Sequence, residues 1–256
     1  MLRRRTLFVS LLIVAMSVVL VGCGGGGGDQ TNQTTQQTEQ EPQVDPATFG
    51  SLSVTVNYDG EEPEGRERDL SQYDGCGGEV ITIKDVQVND NGTLKNAVVS
   101  VKKGPDGLSA AGEDGGKVVV DQKNCQYTPH IVTAKTGQDV KITDSDDNMH
   151  NVRATKDEEP VFNETTYKGS SVTKTFDSAG VYKLVCDVHG WMNSWVYVTD
   201  HGKAAPTDET GSAKLSNLPP GDYTITIWHE SLGSMTKDVS IGKKEDKSLE
   251  VTLSQS

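Results

Sequence analysis

Past residue 49 the chain alternates apolar and polar positions in short runs. They include Leu52-Ser53-Val54-Thr55-Val56, Val80-Ile81-Thr82-Ile83, Ala97-Val98-Val99-Ser100-Val101, Val118-Val119-Val120 and Val140-Lys141-Ile142. The series continues through Val172 to Phe176, Val181 to Val185, Trp195 to Val198, Tyr223 to Ile227 and Leu249 to Leu253. Successive side chains of a strand point to opposite faces, so a period of two marks a strand with one face on a core. Gly, Asp, Asn and Pro separate the runs, and no 11-residue window keeps helical spacing. The pattern predicts an all-β chain packed as sandwiches. A polar run from His201 to Thr210 follows the strand at Trp195 to Val198 and predicts a boundary near Asp200.

The first residues read differently. Arg3, Arg4 and Arg5 precede an apolar run from Leu7 to Val21, the charged-then-apolar plan of an export signal. A run of about 15 residues falls short of the roughly 20 that span a bilayer as a helix. Leu20-Val21-Gly22-Cys23 resembles a bacterial lipobox. That resemblance implies a lipidated Cys23 and a protein held at the cell envelope, on the periplasmic or cell-surface side, with more than one acyl chain giving stable anchoring. Gly24 to Gly28 and the Gln-, Thr- and Asn-rich stretch after them offer almost nothing apolar to bury, so residues 23–48 are expected to act as a flexible tether.

Charge narrows the partners. The chain carries 24 Lys and Arg against 37 Asp and Glu, a formal charge of −13. Loss of Arg3, Arg4 and Arg5 with the signal brings it to −16. Such a balance repels phosphate backbones, and no basic block with interleaved aromatics appears, so nucleic acid is excluded as a partner. A protein partner would present a basic docking face, with an on-rate that falls as salt rises.

The chemistry concentrates in Val185-Cys186-Asp187-Val188-His189-Gly190-Trp191-Met192, a Cys-x2-His-x2-Met loop directly after one strand and before the next. His150-Asn151 lies upstream. One thiolate, two imidazoles and one thioether, from Cys186, His150, His189 and Met192, make the donor set of a type 1 copper site. Zinc also suits Cys and His. A thioether ligates zinc poorly and favours copper.

Around this loop residues 127 to 199 resemble a cupredoxin of the plastocyanin and amicyanin type. The resemblance rests on Pro129-His130-Ile131-Val132, Gly137-Gln138-Asp139-Val140, Asn148-Met149-His150-Asn151-Val152, and Phe176, Gly180, Tyr182, Cys186, His189 and Met192 at family spacing. It implies a Greek-key β-sandwich and one copper ion on His150, Cys186, His189 and Met192. It also implies that Asn151 joins the two ligand loops and donates toward the thiolate, and that electrons pass through an exposed edge of His189. The acidic run Asp144-Ser145-Asp146-Asp147 departs from the family pattern. No His-x-His pairs of a multicopper oxidase are present, and Tyr182 stands where a binuclear copper site needs a second Cys, so the chain is expected not to be an enzyme.

The resemblance divides the chain into a signal peptide at 1–22, a tether at 23–48, an N-terminal β extension at 49–79, the cupredoxin domain at 80–199 and a C-terminal domain at 200–256. The last, through Thr207 to Tyr223, resembles a small transthyretin-like, carboxypeptidase-regulatory sandwich. Its strand complement is short, so Leu52 to Val56 is a candidate to complete its sheet, with the copper domain inserted between two halves. Cys76 and Cys125 form an even pair in an exported chain, where a disulfide is expected. Two free thiols, or a second metal site near His130, remain open at this point. Trp191 is either a docking surface beside the electron exit or a lid on the site. The expected function is a lipid-anchored one-electron carrier. The alternative is copper sequestration or delivery without redox turnover.

Overall fold

The computed structural model describes residues 45–108 and 116–255. The expected signal peptide, Cys23 and residues 23–44 of the tether lie outside the described residues.

Nearly every described element is a strand, and the strands sort into two bodies with separate cores. In the first, a four-stranded sheet runs in the order Ser171–Lys174, Val140–Asp144, Val118–Lys123, Gln126–Thr128. It faces a five-stranded sheet in the order Glu159–Thr166, His150–Lys156, Gly180–Val185, Asn193–Thr199, Ile131–Lys135. Val120, Val140, Ile142, Val152, Leu184 and Val196 fill the space between, each from the inward phase of an alternating run.

The second body joins both ends of the described chain. Gly50–Asp59 lies between Ser212–Leu218, antiparallel, and Asp246–Ser254, parallel. Opposite stands a sheet in the order Ala204–Pro206, Val98–Lys103, Gly221–His229, Gly233–Ile241. Leu52, Val54, Val99, Leu215, Ile225 and Ile227 share its aliphatic core. Leu52 to Val56 therefore does complete the C-terminal sheet, and the chain crosses into the first body and back between two neighbouring strands. Ala204 sits opposite Ser100, and Val101 N–H donates to the carbonyl of Lys203 at 3.0 Å.

This corrects the strand assignment at 80–120. Val98–Lys103 pairs with Thr224 to Trp228 in the second body, and the first sandwich begins at Val118–Lys123. A period of two fixes that a strand has an inner face but not which sheet receives it. Val80–Ile83 belongs to neither sandwich and pairs with Arg66–Asp69 in a hairpin.

The seam between the bodies is aromatic and polar. Trp195 and Tyr197 on the outer face of the five-stranded sheet meet Trp228, with ring centroids 5.6 and 5.8 Å apart. Glu230 accepts hydrogen bonds from Trp195 Nε1 and His130 Nε2. Burial pushes the Glu230 carboxyl up, but His130 and Trp195 outweigh it and hold it below its ordinary value. His130 thus serves the seam.

Candidate metal centre

Cys186 follows the last residue of Gly180–Val185, and His189 and Met192 occupy the turn before Asn193–Thr199. The turn closes on itself: Cys186 N–H donates to Met192 O at 3.2 Å and Met192 N–H to His189 O at 2.8 Å. A loop this short between paired strands turns several side chains to one point. His150 opens the adjacent strand His150–Lys156, whose Arg153 pairs with Val185, and so arrives beside Cys186.

Three of the four predicted residues bring their donor atoms together, and Met192 is buried in the same turn. His150 is 0% exposed, and Cys186, His189 and Met192 are 2% each. Nδ1 of His150 and Nδ1 of His189 are 3.0 Å apart, and Cys186 Sγ lies 3.8 and 3.9 Å from them. Three donor atoms facing one another at these distances suit a metal ion held between them. Burial pushes the Cys186 thiol up, but His150 and the backbone N–H groups of Asn151, His189 and Val188 outweigh it and hold the thiol below its ordinary range. Burial lowers His150, yet Cys186 and Asp146 carry it above its usual value; burial and His150 together depress His189. The cluster makes the thiolate, the form that binds metal, easier to form than in a free cysteine.

Residues 115–199 match the family model of copper binding proteins of the plastocyanin/azurin type. The match covers the first sandwich and its loops, and the donor chemistry fits the metal that the family name states. Among solved structures, a purple cupredoxin from Nitrosopumilus maritimus is 22% identical over 32% of this chain and 100% of that one, with a TM-score of 0.30. Amicyanin from Paracoccus versutus is 28% identical over 40% of this chain and 97% of that one, TM-score 0.31. A Cu(I) form of an amicyanin mutant gives 23% over 41% and 99%, TM-score 0.31. No curated protein matches the chain.

The first sandwich is sealed from outside by the segment before it. Leu70, fully buried in the domain's core, anchors a short helical turn at Leu70–Gln72, which Asp69 caps through Ser71 N–H. Tyr73 then packs edge-on against His189 and Trp191, at 5.9 and 4.7 Å between centroids. Arg68 lies 4.9 Å over Trp191, and Trp191 Nε1 donates to Cys125 O at 2.9 Å. Cys76 and Cys125 are joined in a disulfide, with Cα atoms 5.0 Å apart and a sequence separation of 49. Its sulfurs sit on the outer nitrogens of both imidazoles: Cys76 Sγ is 3.9 Å from His189 Nε2, and Cys125 Sγ is 4.0 Å from His150 Nε2. Gly75, at φ +80°, passes so close to Asp147 that a Cβ would lie 2.8 Å from its backbone.

Two expectations change. His189 has no exposed edge, because Tyr73, Cys76 and Asn148 cover it; Asn148 Nδ2 is 3.4 Å from Nε2. Trp191 is the lid of the two readings left open for it, half-buried between the site and Arg68. Asn151 does join the ligand loops, its Oδ1 accepting Asp187 N–H at 2.6 Å and its Nδ2 donating to Asp187 Oδ2 at 3.0 Å. The donor toward the thiolate is its backbone N–H, since the amide is used elsewhere. Sequence reasoning missed Tyr73 and Asp146. For Asp146 a signal existed in its place four residues ahead of His150 in the acidic run.

Proposed function

We propose that the chain is a one-electron carrier in which His150, Cys186 and His189 hold a single type 1 copper ion, with Met192 as the weak axial ligand. The observation that carries the reading is the convergence of Nδ1, Nδ1 and Sγ in the dry end of a sandwich, beside a buried thioether. Copper bound there would supply a couple between two oxidation states. The protein's own contribution is rigidity: the loop hydrogen bonds, the paired strands and the disulfide hold the donors in one geometry in both states.

The seal argues for electron transfer over delivery. A protein that hands metal on needs a ligand within reach of the acceptor, and here all four are buried under a cross-linked cap. Electrons cross a thin layer: Gly75, Gly77 and Gly78, on either side of Cys76, are exposed and carry no side chain. The partner is a redox protein with a basic face, in keeping with the charge of −13. Cys23 lipidation would place the chain at the cell envelope, and the Pro219-Pro220-Gly221 turn between strands supports a transthyretin-like second body.

The test is the visible spectrum of the full chain with one equivalent of Cu(II). An intense thiolate-to-copper band that bleaches reversibly with reductant is expected. A colourless or irreversibly reduced complex would refute the reading and leave sequestration in its place.

A further inference from the structure

The acidic run Asp144-Ser145-Asp146-Asp147, which departs from the family pattern, alternates between buried and exposed positions. Asp144 and Asp146 point inward at 2% and 4% exposure, while Asp147 turns out and pairs with Lys168 at 2.7 Å. Each oxygen of Asp146 is engaged. Oδ1 accepts Asn124 N–H at 2.6 Å, and Oδ2 accepts Cys125 N–H at 2.8 Å while standing 2.9 Å from His150 Nε2. The two amides come from one turn, with Asn124 and Cys125 both in the left-handed region, and the Cys76–Cys125 bridge fixes that turn. Asp146 N–H donates in its own right to Asp144 Oδ1 at 3.1 Å.

An ionised carboxylate only accepts, so the group facing it at His150 Nε2 must carry the proton. In a neutral imidazole the other nitrogen is then bare, and that nitrogen is the Nδ1 turned toward Cys186. A carboxylate behind a ligating histidine also raises its basicity, and in a dry site the negative charge acts with little screening.

We propose that Asp146 is the positioning residue of the metal centre: it fixes His150 as the Nε2–H tautomer and, from behind the imidazole, favours the oxidised metal. The second half rests on the copper reading above; the first half stands on the metal-free geometry. Asp147 supplies the comparison, because it carries the same charge one residue away without touching the histidine.

The experiment compares the full chain with Asp146→Asn and Asp147→Asn. In the metal-free protein, the imidazole nitrogen resonances of His150 are expected to show the Nε2–H tautomer, with Nδ1–H gaining population in Asp146→Asn alone. In the copper-loaded protein, the ratio of oxidised to reduced metal at a fixed poise is expected to fall about tenfold in Asp146→Asn, which for a one-electron couple is an upward shift of about 59 mV. Asp147→Asn should change it less than twofold.

A folded Asp146→Asn with the parent tautomer and poise would overturn the proposal. Should that variant fail to fold, an Nδ1–H tautomer in the parent protein overturns it alone, and Nε2–H supports it. A parent protein without the thiolate-to-copper band refutes the copper reading, while the tautomer still decides whether Asp146 positions His150.

Discussion

The two bodies are built from the same alternating strands and close by the same pairing, yet their cores are unlike. The second body is filled by Leu, Val, Ile and Ala, with Tyr223 at its edge donating to the carbonyl of Pro219. The first body gives one end of its core to thiol, imidazole, thioether and carboxylate. Among the described residues, the buried side-chain atoms without a partner, Gln122 Oε1 and Asp144 Oδ2, both lie in that domain. Buried polar groups are normally paired, so a core that carries donors is the harder one to satisfy. The cap, the disulfide and the second body all brace the domain that bears this load.

Cutting the donor set should separate the bodies most sharply. Cys186→Ser is expected to abolish the charge-transfer band and lower Cu(II) affinity at least a hundredfold, seen by absorption titration, while the unfolding midpoint of the metal-free protein moves little. Next comes the cap. Replacing Cys76 and Cys125 together by Ser frees a loop whose closure entropy is worth about 4 kcal/mol. Chemical denaturation should show a loss of that order, and azide added to the copper form should perturb its spectrum only in the variant.

The reverse cut is Ile225→Ala in the aliphatic core, where Ile225 is fully buried. A loss of about 3 kcal/mol is expected from the cavity, with the copper spectrum unchanged. A spectral change there would mean that the bodies are coupled and the contrast between them is too simple.

The smallest expected effect lies at the seam. Glu230 is held below its ordinary value of 4.5 when folded, so its contribution is present above that pH and is lost as pH falls through the folded value. Glu230→Gln should therefore cost about 1 to 3 kcal/mol at neutral pH. It should also flatten the loss of stability in acid denaturation as pH falls below 4.5, since no carboxylate remains there to protonate.

The sequence made the proposed quartet legible because three of its members fall in seven consecutive residues between two strands. It made the strands legible because alternation is local. What it hid was non-local. Val98–Lys103 has the same alternation whichever sheet takes it, and only the pairing with Gly221–His229 decides. Tyr73 reaches His189 because Leu70 is buried and Cys76 is tied to a turn 49 residues away, neither of which has a local pattern. Asp146 was hidden because four polar residues in a row look like surface. Two of them complete the inward phase of the strand that precedes them.

The strand Gly50–Asp59 has a mechanical meaning. It is the first strand of the described chain and the middle one of its sheet, hydrogen-bonded on both sides to strands from the C-terminal part. A pull on the chain ahead of Asp45 is resisted by two ladders of hydrogen bonds loaded along their length, within the aliphatic body. The first sandwich is joined to that body at the paired strands Val98–Lys103 and Ala204–Pro206, at the Trp195–Trp228 seam, and through the segment that the Cys76–Cys125 bridge ties to it. Such a pull would load the aliphatic body's ladders before it reached the spacing of His150, Cys186 and His189.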